Sequence, residues 1–292
     1  MTKKKLFVWT CDYSENSGEG KLARLFVDKL KKRKFIIILN QQNTLNQKYI
    51  STLWGIFYCW KKYLNQETVC YLNYLPLWNF LIFVLLPPKT VFGPITGGAY
   101  YSKSFKLNYF IREYIFPIFY KVSEFLINLR GINPIFSTDL LKKYLSKKTI
   151  IKSKFNFVVK NFSFKKKIKR KKIIDFLIYY RNHNNKKLLF PFNLIRKLIK
   201  YNFKIYIVGD RLNLPKIKNC GKLSKNKISI LQSKAKFTII SGENPYSFFI
   251  LECIAHHMKI IIDKKMKKKI TMLKKNFIEL NFNSLNKIIK QR

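Results

Sequence analysis

Between residues 173 and 264 the chain alternates four times between a short apolar strand pattern and a helical period, with brief turns between them. No other feature constrains the fold as much. Parallel strands cannot be joined by a tight hairpin, so a chain that inserts a helix after each strand is building a parallel sheet with right-handed crossovers. The strand patterns are Ile174–Tyr180, Lys204–Val208, Phe237–Ile240 and Ile260–Ile262. The helical stretches are Leu194–Lys200, Lys225–Ser233 and Ser247–His256.

The front of the chain opens the same way. Leu6–Trp9 reads as a buried strand, and Asp12–Gly20 as a polar turn with glycines at 18 and 20. Leu22, Leu25, Phe26 and Leu30 then recur at helical spacing, and Phe35–Leu39 reads as a second strand. Val69–Leu72 and Thr90–Phe92 continue the strands, with an apolar helix near Trp78–Leu86 between them and a loop at Gly93–Gly98. Residues 105–130 read as an aromatic helix kinked or split by Pro117. Ile135–Phe136 reads as a short strand and Asp139–Leu145 as a short helix. The run SFKKKIKRKK at 163–172 reads as a solvated loop. The fold class expected is α/β, with two Rossmann-like domains facing across a cleft. The first covers residues 1–155 and the second 156–283, and residues 284–292 form a helix packing back on the first.

A chain of 292 residues can bury a core without covalent staples. Cys11, Cys59, Cys70, Cys220 and Cys253 are odd in number and lack metal-ligand spacing, so a reducing, cytoplasmic compartment and no structural metal are expected. The longest apolar stretch, Leu75–Leu86, falls short of the roughly 20 residues that cross a bilayer. Lys and Arg number 59 against 14 Asp and Glu, for a net charge of +45. That excess suits an anionic partner, but it is spread along the whole chain, as coding bias toward Lys, Asn and Ile would spread it. No helix-turn-helix, zinc finger or RNA-binding signature accompanies it, so nucleic acid is not expected as a partner. Between residues 101 and 121, cations at Lys103, Lys106, Arg112 and Lys121 interleave with aromatic residues, which suits an anionic membrane surface; a buried aromatic helix with solvated lysines reads equally well there.

Three stretches carry the chemistry. Ser241–Glu252 spans a strand end and a helix start, where backbone N–H groups can hold a diphosphate. Glu243 precedes that helix, and Glu252 lies within it beyond its first two turns, with apolar neighbours on both sides. A carboxylate offers enough acceptor sites to take both hydroxyls of a ribose. Arg181 and Lys186, five apart, follow the strand that ends in Tyr179–Tyr180, and two cations there could neutralise a leaving diphosphate. Gly209-Asp210 and Gly221–Ser224 form the third. Each stretch also has a plain structural reading: a capped helix, surface cations, turns that need glycine.

Their order is more specific than any one of them. Strand–Arg181…Lys186, strand–Gly209-Asp210, Gly221-Lys-Leu-Ser224 and strand–Ser241-Gly-Glu243…Glu252 resemble the donor-binding half of glycosyltransferases with the glycosyltransferase-B fold, of the family 4 type. The resemblance covers residues 173 to 264; residues 16–20 and 91–98 resemble the front half more loosely. It implies that Arg181 and Lys186 bind the donor diphosphate and that Glu252 binds the donor ribose. It implies that the region of Glu243 contacts the transferred sugar. Asn244, Tyr246, Ser247, Gly209 and Gly221 complete the donor side. Ser17, Gly18, Glu19 and Gly20 form the turn that meets the acceptor or the donor phosphates. Eight residues separate Glu243 from Glu252, one more than is usual, so either Asn244 takes the first role or the loop bulges.

The function expected is transfer of a hexose from a nucleotide-diphosphate sugar to a glycan or lipid-linked acceptor in polysaccharide biosynthesis, retaining and metal-independent, at the inner face of the membrane. No cofactor is called for, and no Asp-x-Asp metal motif occurs. A non-catalytic nucleotide-sugar or glycan-binding protein of the same fold is the alternative, and a basic nucleic-acid-binding protein the more distant one.

Overall fold

The structure, a computed structural model, describes residues 4–41, 48–73, 75–97, 110–164, 170–182, 190–240 and 244–280. They form two compact units, divided in the chain between Phe162 and Ser163.

The first unit holds four parallel strands: β1 (Lys5–Thr10), β2 (Ile36–Gln41), β3 (Val69–Tyr71) and β4 (Val91–Phe92), in the order β2-β1-β3-β4. β1 is central and buried from Leu6 to Thr10, because both faces of a parallel sheet are covered and its strands read as unbroken apolar runs. β2 is an edge strand and leaves Ile36, Ile38 and Leu39 exposed. Helix α1 (Gly18–Lys32) buries Leu22, Phe26 and Leu30 at the expected spacing. Helix α2 (Lys48–Leu64) carries the chain from β2 to β3, and α3 (Phe80–Leu85) from β3 to β4. The crossover β1-α1-β2 moves one way across the sheet and the next two move the other way. Right-handed crossovers therefore put α1 on one face and α2 and α3 on the opposite face. Helix α4 (Phe116–Leu129) packs on α3 through Phe80 and Phe119, whose ring centroids are 5.3 Å apart. Helix α5 (Lys147–Lys152) follows, and α6 (Phe157–Asn161) packs on α1 with Phe157 5.6 Å from Phe26. That contact ties residues 156–162 to the first unit.

The second unit is a six-stranded parallel sheet of β5 (Ile174–Tyr180), β6 (Ile205–Gly209), β7 (Ile217–Asn219), β8 (Ala235–Ile239), β9 (Lys259–Ile262) and β10 (Phe277–Glu279), in the order β10-β9-β8-β5-β6-β7. Helices α7 (Phe192–Lys200), α8 (Lys225–Lys234), α9 (Phe248–Ala255) and α10 (Lys264–Lys267) join or flank them. Phe176, Ile178, Ile195, Leu198, Ile207 and Phe237 form the heart of its core. The chain runs outward from β5 to β7, then returns beside β5 and runs outward the other way. The expected α/β class with two parallel-sheet domains is what the chain adopts.

Several local expectations change. Pro117 does not split its helix. A π-turn at Ile111–Ile115 runs straight into α4, with Phe116 N–H bonded to Ile111 O. A proline lacks the N–H that an α-turn would use and its ring clashes with the carbonyl four residues back, and a wider turn relieves both. Ile135 and Phe136 make only isolated bridges, to Lys154 and Ile95, and Asp139–Leu145 holds a single 3-10 turn at Lys142–Tyr144. Lys172, at the end of the basic run, is half-buried: its Nζ donates to His256 O at 3.0 Å and Gln232 O at 3.4 Å, capping the carbonyl ends of α9 and α8. Burial lowers its pKa. The strands β7 and β10 and helix α2 were not foreseen at all. The expected helix at 284–292 lies outside the described residues.

Candidate functional site

In an open parallel sheet, ligands bind beyond the carboxyl ends of the strands at the point where the winding reverses. In the second unit that point lies between β5 and β8. Arg181 is exposed directly after β5, and Asn244–Ser247 lead from β8 into α9. A ring contact joins the two sides: Tyr179, on the last turn of β5, lies 5.6 Å from Phe249 in the first turn of α9. The third motif closes on the same edge. Gly209 ends β6 with φ 106°, donates its N–H to Gly221 O at 2.9 Å, and has no room for a side chain against Tyr180 O. A non-glycine residue there would be both strained and obstructed. The structure thus brings Arg181, Gly209, Gly221 and the start of α9 to one edge.

Asp210 fixes the loop that carries Arg181. Its Oδ2 accepts the Asn182 N–H at 2.8 Å, its own N–H donates to Tyr180 O at 3.0 Å, and Lys222 Nζ lies 3.5 Å from Oδ1. The Asn182 N–H, then Lys222 and Arg181, hold its carboxyl below the usual aspartate range despite some desolvation. Asn182 and Lys222 had no place in the sequence reading, since a lone polar residue after a strand carries no signal of what it bonds.

The start of α9 is a conventional cap. Ser247 Oγ accepts from Ile250 N–H at 3.5 Å, and Asn244 Oδ1 accepts from Tyr246 N–H at 2.8 Å. A capped first turn still leaves N–H groups without intrahelical partners, and they favour an anion. Tyr246 is different from the expectation. Its side chain is fully buried and its hydroxyl accepts from Thr271 N–H and Met272 N–H, both at 2.8 Å, so it anchors the segment before β10. Glu252 sits in the second turn of α9, closer to the helix start than expected, one turn beyond Phe249. It is half-exposed while Ile250, Leu251, Cys253, Ile254 and Ala255 are buried. Lys186 and Glu243 lie outside the described residues.

The first unit has its own switch point, between β1 and β3. Ser17 caps α1 by accepting the Gly20 N–H at 2.8 Å and donates its hydroxyl to Asp12 Oδ2; Asp12 Oδ1 accepts from Ser14 N–H at 2.9 Å. Asn73, buried after β3, binds Thr10 Oγ1, accepts from Asp12 N–H at 3.3 Å and donates to Glu19 O at 3.3 Å. Gly18 is exposed and Glu19 half-buried. Asn73 was missed because a single Asn after a strand resembles any turn residue.

The cysteines are free, and burial pushes the Cys59 thiol up to about 12, which keeps it unreactive at neutral pH. Among the described residues no group of three His, Cys, Asp or Glu could hold a metal ion.

No protein-family model and no curated protein matches the chain. Among solved structures, it is similar to WaaG, a glycosyltransferase involved in lipopolysaccharide biosynthesis, at 8% identity and TM-score 0.48, over 98% of this chain and 90% of that one. It is similar to an α-glucosyltransferase in complex with UDP and a 13-mer DNA containing an HMU base, at 9% identity and TM-score 0.46, over 99% and 89%. A third, TibC, a bacterial iron-containing dodecameric glycosyltransferase from enterotoxigenic E. coli H10407, shares 9% identity at TM-score 0.31, over 89% and 58%.

Proposed function

We propose that the chain is a glycosyltransferase that moves a hexose from a nucleotide-diphosphate sugar to a glycan or lipid-linked acceptor, retaining and without a metal. One observation carries this reading: a cation held by its own loop anchor and a capped helix start flank the switch point of the second unit. Arg181 and the α9 N–H groups would take the diphosphate, and Lys186 would add a second cation as the leaving group gathers charge. Electrostatic support of that kind, aimed where charge develops, supplies much of the rate in group transfer. Glu252 would accept the ribose hydroxyls, with Glu243 or Asn244 near the sugar. The turn around Asp12 and Ser17, with its carboxylate and hydroxyl, suits a hydroxyl-bearing acceptor.

Calorimetry with a panel of nucleoside diphosphates tests this. At least one member should bind. Arg181→Ala should weaken it about tenfold or more, since a charge-assisted hydrogen bond contributes about 1.5–3 kcal/mol. Glu252→Gln should lose affinity while melting at the parent temperature. The reading fails if no diphosphate binds, or if both variants bind as the parent does.

A further inference from the structure

Three helices of the first unit carry large apolar residues on their outward faces as well as toward the core. In α2 the residues that face the sheet are small: Ser51, Gly55 and Cys59 are buried, one turn apart, and Gly55 lies against the ring of Trp9. Ile56 and Tyr58 pack against the core, but Leu53, Trp54, Phe57, Trp60 and Leu64 are exposed, Phe57 at 60%. Helix α4 buries Tyr120 and Ile127 in the core, yet two polar residues share that buried face. Ser123 is 0% exposed and Glu124 5%, while Phe125 is 65% and Leu129 73% exposed. Helix α3 continues the pattern with Leu81, Val84 and Leu85 outward.

These outward faces belong to one surface. Trp60 Nε1 donates to Leu85 O at 2.7 Å, joining α2 to α3. Arg130, at the end of α4, donates to Val84 O at 3.0 Å and Pro87 O at 3.0 Å, joining α4 to α3. A surface helix in water buries an apolar stripe and exposes a polar one, whereas these three are apolar on the outward side too. Monomers in water rarely carry contiguous apolar patches of more than a few hundred Å². Here Glu124 is held inside by the Ser146 N–H at 2.6 Å and Lys121 at 3.2 Å, so its burial is built rather than accidental.

We propose that the outward face of α2, α3 and α4 docks on an anionic lipid bilayer, lying in the interface. Charge decides the occupant. Glu124 is the sole acid within these three helices, and it is buried, while Lys61, Lys89 and Lys121 are exposed at the edges. Trp and Phe on an apolar face with Lys at its margin suit the headgroup boundary. A second copy of this chain, itself at a net charge of +45, would be repelled, whereas anionic lipid neutralises the charge. No helix among the described residues is long and apolar enough to cross a membrane, so the face rests on the bilayer. This inference stands on the first unit alone and does not depend on the proposed transfer reaction.

Co-sedimentation of the full chain with vesicles decides it, using phosphatidylcholine alone and mixed with phosphatidylglycerol. The parent should pellet with the mixed vesicles and far less with the neutral ones. The triple variant Phe57→Ser, Phe125→Ser, Leu129→Ser changes only exposed side chains. It should keep the parent circular dichroism and lose binding to the mixed vesicles about tenfold or more. Lys61→Glu, a second and milder variant, should weaken binding to mixed vesicles and leave the neutral ones unchanged. Sedimentation velocity without lipid should give a monomer. Absence of the parent from the pellet, equal pelleting of parent and triple variant, or a lipid-free dimer that the triple variant dissociates would each overturn the proposal.

Discussion

Asp210 shows how one half-exposed side chain can set a loop. It binds no ligand in the reaction proposed; it holds the Asn182 backbone at 2.8 Å and so fixes the residue before it, Arg181. Its folded pKa is depressed, so the tie is present above the unfolded aspartate range and is lost as pH falls through the lower folded value. Titration from about pH 5 to about pH 2, followed through the Asn182 amide resonance, should give a midpoint below the ordinary aspartate value of about 3.9. A midpoint at or above that value would mean that the loop is held by something else. Tyr246 makes the converse point. From its place beside Asn244 and Ser247 it reads as a donor contact. Its hydroxyl instead satisfies two backbone N–H groups 25 and 26 residues away, a partnership that no local pattern announces.

At the scale of elements, α2 carries the clearest lesson. Its small residues face the sheet and let it lie close to Trp9: a methyl added at Gly55 would stand 2.6 Å from the indole ring. Two effects oppose each other in Gly55→Ala. Helix propensity favours alanine by about 1 kcal/mol, and overpacking a core costs about 1–3 kcal/mol. Trp9 is fully buried and stacked on Tyr71 at 4.7 Å, so the ring has nowhere to move and overpacking should win. Urea denaturation should show Gly55→Ala less stable than the parent, and a stabilised variant would mean that α2 sits further from the sheet. The helix escaped the sequence reading for the same reason. Inward apolar periodicity is what marks a soluble helix, and here the apolar residues mark the outward side.

For the whole molecule, the two parallel sheets raise the question of how a diphosphate could be held without a metal. Arg181 and the helix start of α9 supply positive potential at one edge, and Lys186 adds to it in the reading proposed. Turnover of a nucleotide sugar should therefore persist in excess chelator. Loss of activity on chelation, restored by magnesium or manganese, would show that the cations of the chain do not suffice.

The sequence by itself determined the class of both sheets and the order in which the candidate site residues follow the strands. Strand–helix alternation with short turns admits one handed solution, and the chain reverses its winding between β5 and β8, beside Arg181 and the 244–252 stretch. Buried runs such as Leu6–Trp9 and Ile174–Tyr180 were legible because a strand covered on both faces needs no alternation. Tertiary structure alone decided what each polar side chain does. Whether Asp210 is a ligand or an anchor, whether Tyr246 faces a donor or a loop, and whether Lys172 is solvated or caps two helices depend on groups far away in the chain. It also decided the meaning of the apolar residues on α2 and α4. Hydrophobicity is a property of the residue, but the side of a helix that meets the sheet is chosen by which residues are small enough to let the backbones approach.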